Sequence, residues 1–212
     1  MTLHLLLALL FTVAPARAHR LDEYLQATLI SVEKDRVEAQ VRLTPGVAVL
    51  PLILSEIDTD RDGVISDAER RAYERTILAG LLLTVDGNPQ QLQLRAASWP
   101  PLEEMKEGRG EIRLDLSAAI ASRTGTRHLV FENHNQPAIS AYLVNCLAPS
   151  QPDITITAQK RNYEQSSYRL DYLQSGTLYG GVSGTEAAAG IAMLLLLTRL
   201  AWHWRSARPL KS

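Results

Sequence analysis

Two alternating stretches near the start decide the fold of this chain: Tyr24-Leu25-Gln26-Ala27-Thr28-Leu29-Ile30-Ser31-Val32 and Val37-Glu38-Ala39-Gln40-Val41-Arg42-Leu43. In the second stretch apolar and polar side chains alternate at every position, which places the apolar ones on one face of an extended strand. The charged residues 33–36 between the stretches are typical of a turn. The pattern therefore predicts a β-hairpin with one face buried in a core.

Further short stretches of the same kind follow along the chain, separated by turn sequences such as Asp86-Gly87-Asn88-Pro89. About eight short strands with turns between them predict a mainly β fold, an antiparallel, immunoglobulin-like β-sandwich. We expect one core for all of them, with contributions from Val41, Leu83, Leu114 and Val130. The later stretches are residues 81–85, 91–96, 111–116, 127–132, 140–147, 154–160 and 167–173.

Between the second and third strands lies a different pattern, Asp58-Thr59-Asp60-Arg61-Asp62-Gly63-Val64-Ile65-Ser66-Asp67-Ala68-Glu69. Its oxygen-bearing residues stand at the offsets of an EF-hand loop, with glycine at the sixth position, where the chain must turn sharply. Ca²⁺ prefers oxygen ligands, so this loop is a candidate calcium site. The predicted ligands are Asp58, Asp60, Asp62, the Val64 carbonyl, Ser66 and Glu69.

Helical spacing of apolar residues on both sides of this loop predicts an inserted helix–loop–helix, residues 47–80. On this interpretation the insert is separable from the sandwich. The simpler alternative is an acidic surface turn, because Asp and Gly are common in turns.

Both ends of the chain carry membrane-targeting patterns. Residues 1–18 combine a short apolar run with Ala16-Arg17-Ala18, which is typical of a cleaved signal peptide. Residues 175–184 are interpreted as a linker, and residues 185–204, which contain the apolar run 187–197, are long enough to span a bilayer. The basic tail, 205–212, predicts a cytoplasmic C-terminus. We therefore expect residues 19–174 outside the cytoplasm on a single-pass membrane protein; an N-terminal anchor and an amphipathic C-terminal helix are the alternatives.

Composition and motifs narrow the function. The net charge of −1 gives no indication of nucleic-acid binding. No catalytic motif is apparent, so we expect a binding protein rather than an enzyme. The single cysteine, Cys146, excludes an internal disulfide and is interpreted as a small buried apolar residue. The polar residues 132–137 are interpreted as a turn.

A second metal site is an alternative hypothesis. Signal cleavage would leave His19 as the first residue, with its free amine and imidazole together able to chelate copper or nickel. Such a site needs a further histidine. The candidates on the exported side are His128 and His134.

The chain resembles the exported N-terminal region of bacterial nickel/cobalt efflux and hydrogenase/urease-accessory membrane proteins, over residues 19–173. The similarity lies in the start His19-Arg20-Leu21-Asp22-Glu23-Tyr24-Leu25, the Asp-rich loop, Leu83-Thr84-Val85-Asp86-Gly87 and Phe131-Glu132-Asn133-His134-Asn135. Those families continue into several membrane helices that move metal. This chain has one predicted membrane helix, so transport activity is not implied. The resemblance implies an exported module of a metal-handling system.

Two functional hypotheses result. The first is a membrane-anchored, extracytoplasmic Ca²⁺-binding module that interacts with a transporter or another envelope protein. The second is an accessory subunit that handles nickel, cobalt or copper through His19.

Overall fold

The computed structural model describes residues 22–176, which contain ten strands and three helices. The strands are β1 (Tyr24–Val32), β2 (Arg36–Pro45), β3 (Leu81–Val85), β4 (Asn88–Gln90), β5 (Gln93–Ser98), β6 (Ile112–Ala119), β7 (Gly125–Asn133), β8 (Ser140–Cys146), β9 (Ile154–Arg161) and β10 (Ser167–Gln174). The helices are α1 (Leu50–Ile57), α2 (Asp67–Ala79) and α3 (Leu102–Lys106). The sequence patterns did not predict the two short elements β4 and α3.

The predicted hairpin is confirmed. Strands β1 and β2 pair antiparallel from Tyr24 opposite Pro45 to Val32 opposite Val37. Buried residues alternate with partly exposed ones along both strands. The Glu33 N–H donates to the Arg36 carbonyl at 2.9 Å and closes the predicted turn.

The described residues form two five-stranded sheets, in the orders β5-β6-β2-β1-β8 and β4-β3-β7-β10-β9. The expectation of antiparallel pairing throughout is wrong at one place, because β1 and β8 are parallel. The turn after β7 returns the chain to the end of the sandwich where β1 begins, and the Tyr24 N–H donates to the Ile139 carbonyl there at 2.8 Å. Strand β8 therefore leaves in the same direction as β1.

Both sheets contribute to one hydrophobic core, as expected for a sandwich. Val41, Leu83 and Leu114 are at most 3% exposed, which confirms three of the four predicted core residues. Val130 is only partly buried and is not a member of this core. The inward-facing positions of β7 carry odd numbers, as the buried Leu129 shows, so the even-numbered Val130 lies on the outer face.

The helix pair shares the same core. Helices α1 and α2 lie between β2 and β3, where the sequence predicted them. Their buried apolar side chains belong to the cluster that holds the strand residues. These side chains are Leu50, Ile53, Ile57, Tyr73 and Ile77.

A buried hydrogen bond joins α2 to β1. The hydroxyl oxygens of Tyr73 and Tyr24 lie 2.7 Å apart, and both residues are at most 2% exposed. Because removal of one hydroxyl leaves the other buried without a partner, Tyr24→Phe and Tyr73→Phe should each lower the free energy of unfolding by about 1–3 kcal/mol. The double variant should recover most of that loss. Chemical denaturation of all four proteins measures this, and strictly additive losses would contradict the pairing.

Several predicted segments lie outside the described residues: the signal peptide 1–18, His19, most of the linker, the membrane span 185–204 and the tail 205–212. Within residues 22–176, none of the helices has the length and apolar character needed to cross a membrane.

Candidate metal centre

The ends of the two helices define the loop of residues 58–69. Helix α1 ends at Ile57 and is followed by its cap residue Asp58, whose N–H donates to the Leu54 carbonyl at 2.8 Å. Helix α2 begins after Ser66, which forms a capping box with Glu69. In such a box the serine side chain and the glutamate side chain each satisfy a backbone N–H of the other residue. The last predicted ligand therefore also fixes the start of α2.

Between these ends the backbone of the loop turns sharply. Arg61 and Gly63 have positive φ angles of 62° and 81°. Three aspartate carboxylates accept hydrogen bonds from backbone N–H groups further along. Asp58 accepts from Gly63 at 3.0 Å, Asp60 from Asp62 at 3.2 Å, and Asp62 from Val64 at 2.7 Å.

Three carboxylates of this loop lie close together. Oxygen atoms of Asp58, Asp60 and Glu69 all lie within 4.8 Å of one another. The Oδ1 atom of Asp58 is buried, and no group among residues 22–176 donates a hydrogen bond to it. A buried carboxylate oxygen without a donor is unfavourable unless a cation satisfies it. The donor set consists of oxygen atoms alone, which fits Ca²⁺.

The pKa values of these carboxyls reflect the crowding of negative charge. The Asp62 N–H donates to Asp60 and lowers its pKa, but loss of solvent and the charges of Asp62 and Glu69 outweigh that bond. The pKa of Asp60 therefore lies above its usual 3.8. Glu69 behaves differently: hydrogen bonds from Ser66, then from Thr59, lower its pKa from 4.5 to about 2. The loop thus keeps Glu69 ionised.

The other predicted ligands are less closely gathered. Ser66 lies beside Glu69, with its hydroxyl 2.8 Å from Oε2. Asp62 is exposed and is not part of the three-carboxylate group. The side chain of Val64 is 65% exposed, which agrees with its predicted role through the backbone alone. Ile65 packs against the core.

Thr59 contacts a predicted ligand, although the loop pattern gives it no role. Its N–H and its hydroxyl both point to Glu69 Oε1, at 2.7 and 3.3 Å. Glu69 Oε2 accepts from the Ser66 N–H at 2.9 Å. One carboxylate therefore ties the first turn of the loop to its end, and the loop is held together by protein groups alone.

The histidines of the alternative site do not come together. His128 lies within β7 and pairs with Asp171 at 2.7 Å, whereas His134 follows the end of β7 and contacts Glu132 at 3.2 Å. Six residues of extended chain correspond to about 20 Å. No metal-binding group of the described residues includes either histidine. His19 lies outside these residues, so the transition-metal hypothesis stays a prediction.

The polar residues 132–137 are more than a surface turn. Asn133 and Asn135 are 3% and 8% exposed, and Asn135 donates to the Ile77 carbonyl of α2 at 2.9 Å. This turn therefore contacts the helix pair from inside the protein. The sequence contained an indication of this burial, because Asn133 continues the alternation of inward-facing residues along β7.

Cys146 lies partly buried against the core, in agreement with its interpretation as a small apolar residue. Burial raises the pKa of its thiol to about 11.

No family model, curated protein or solved structure matches this chain.

Proposed function

We propose that this chain is a calcium-binding protein and that the loop of residues 58–69 is an EF-hand site. The observation that carries the proposal is the convergence of Asp58, Asp60 and Glu69 between two helices, with a buried oxygen of Asp58 that has no donor among residues 22–176. The loop sequence supports the same ion independently, because its oxygen-bearing residues have EF-hand spacing.

The wider setting of the site is part of the same proposal. We propose an immunoglobulin-like β-sandwich that carries the EF-hand outside the cytoplasm and is anchored by residues 185–204. In this setting the protein is an interaction or accessory module for a transporter or another envelope protein, rather than an enzyme. Nucleic acid is not an expected partner.

The expected affinity is low. Calcium modules exposed to extracellular conditions bind with dissociation constants on the order of 10⁻⁴–10⁻³ M. Mg²⁺ should compete poorly, because it requires tight octahedral geometry and keeps its water ligands.

Glu69→Gln tests the site. Calcium at 100 times its dissociation constant should stabilise the wild-type chain by about 2.7 kcal/mol, and Glu69→Gln should lose most of that stabilisation. The variant should also melt at a lower temperature in chelator, because glutamine has one acceptor oxygen where Thr59 and Ser66 now donate to both oxygens of the carboxylate. Thermal melting of both proteins with chelator and with calcium at 100 times its dissociation constant measures both effects.

Asp67→Asn is the matched control. It removes the same charge two residues away, but Asp67 is exposed and off the ligand pattern. Its calcium shift should equal that of the wild type. Equal calcium shifts in the wild type and Glu69→Gln would show that this loop is not the site.

A further inference from the structure

Helix α1 is held by its buried face and by a contact near its end. Leu50, Ile53 and Ile57 are each at most 4% exposed. Glu56, two residues before the first predicted ligand, accepts from Gln136 Nε2 at 2.5 and 2.7 Å. Gln136 has a φ of 52°, a conformation that side-chain-bearing residues rarely adopt. The turn after β7 therefore contacts α1 through an exposed hydrogen bond.

Helix α2 is held by three hydrogen bonds from three parts of the sandwich. Tyr73 bonds to Tyr24 of β1 at 2.7 Å. The Ile77 carbonyl accepts from Asn135 at 2.9 Å. Glu74 accepts from the indole of Trp99, directly after β5, also at 2.9 Å. Glu74 is only 8% exposed, so that bond is shielded from water.

Asn135 connects these helix contacts to the first sheet. Its backbone carbonyl accepts hydrogen bonds from Gln26 of β1 and from Ser140 and Tyr142 of β8, at 3.0, 3.2 and 2.6 Å. A Cβ atom on Gly80, at the end of α2, would collide with the Asn135 amide. The end of α2 therefore rests directly on a buried polar residue that is hydrogen-bonded to the first sheet.

These attachments bear on what calcium can do. Sensor EF-hands respond to calcium by opening the angle between their helices and exposing an apolar groove. Opening α1 away from α2 here would expose core side chains such as Ile53 and Ile77. Moving α2 instead would break the hydrogen bonds that buried Tyr24 and Asn135 make to that helix, which is costly. The attachments therefore favour a helix pair that stays closed.

We infer that calcium stabilises the sandwich and the helix pair as one unit and does not open the helices. This inference rests on the calcium site proposed above and assigns that site a structural role instead of a sensor role. Because the expected affinity is low, the domain reaches its full stability only in a calcium-rich compartment.

Hydrogen exchange of the full-length chain tests the inference, with chelator and with calcium at tenfold its dissociation constant. Core amides of β1 and β6 exchange through global unfolding, so calcium should slow them about tenfold if it stabilises the whole domain. Asp67→Asn should show the same slowing and Glu69→Gln should show little. Emission of an apolar-surface dye should not rise when calcium is added.

Slower exchange confined to residues 50–79, or a calcium-dependent rise in dye emission, would overturn the inference and leave calcium binding intact. Unchanged exchange throughout the chain would overturn the calcium site and the inference with it.

Discussion

Replacing residues 47–80 with a short Gly/Ser linker should abolish cooperative folding. The replacement removes the buried side chains of Leu50, Ile53, Ile57, Tyr73 and Ile77 from the shared core. At about 1.5–3 kcal/mol for each large apolar side chain, the loss of about 8–15 kcal/mol is comparable to the whole stability of a domain. Chemical denaturation followed by circular dichroism measures the outcome. A cooperative transition in the shortened chain would show that the helix pair is a separable insert.

A pair of single substitutions on α1 separates core packing from general effects of mutation. Ile53 is fully buried, and Ile53→Ala should lower the free energy of unfolding by about 2–5 kcal/mol. The neighbouring Leu52 is 48% exposed, and Leu52→Ala should change it by less than about 0.5 kcal/mol. Equal losses would contradict the placement of α1.

Asp86→Asn should produce the largest loss from a single polar substitution. Asp86 accepts from the Arg127 guanidinium at 2.6 Å, and the Arg127 side chain is only 4% exposed. Arg127 keeps a bond to the Ala121 carbonyl, so we expect about 3 kcal/mol, the lower end for a broken buried ion pair. Asn suits the φ of 52° at this position, so the backbone turn should persist.

The effect of Asp86→Asn should depend on pH. Burial raises the pKa of Asp86, but bonds from the His128 N–H and from Arg127 outweigh burial and hold it below 3.8. A depressed carboxyl pKa stabilises the fold above the unfolded value, and the stabilisation disappears as the pH falls through the folded value. The difference between wild type and variant should therefore be full at pH 7 and shrink below about pH 4.

Asp171→Asn is the control for that substitution. Asp171 pairs with the imidazole of the same His128, but both side chains are largely exposed. Its loss should be below about 1 kcal/mol. A loss equal to that of Asp86→Asn would mean that burial of Arg127 is not the cause.

The strands were predictable because their two faces have different surroundings. Strands β1 and β3 have the predicted bounds, since their side chains alternate between core and surface. Of the predicted turn Asp86-Gly87-Asn88-Pro89, only the first two residues form the turn, with φ angles of 52° and 78° that suit a two-residue hairpin, and Asn88 and Pro89 lie in β4. Helix α3 was missed because its five residues are too few to show a helical period.

Tertiary arrangement explains the remaining differences. The parallel pairing of β1 with β8 depends on where a distant turn returns the chain, which local periodicity does not encode. Val130 is hydrophobic, which suggested a core position. The alternation of β7, however, places it on the outer face. The same alternation places Gln26 and Asn133 inward, where the Asn133 amide donates to Gln26 at 2.8 Å. Polar residues at inward-facing strand positions therefore indicate buried hydrogen bonds, such as the one between Asn133 and Gln26.

For the loop, the spacing predicted which residues carry the carboxylates but not which of these carboxylates lie together. Asp58, Asp60 and Glu69 meet, whereas Asp62 lies outside the three-carboxylate group. Thr59 has no place in the ligand pattern, yet it holds Glu69 through two hydrogen bonds.

Calorimetric titration of calcium into the purified full-length chain tests the central claim most directly. The account predicts saturable binding of one ion per chain, with a dissociation constant on the order of 10⁻⁴–10⁻³ M, weakened strongly in Glu69→Gln and unchanged in Asp67→Asn. The absence of saturable binding in the wild type, or the same binding in Glu69→Gln, would contradict it.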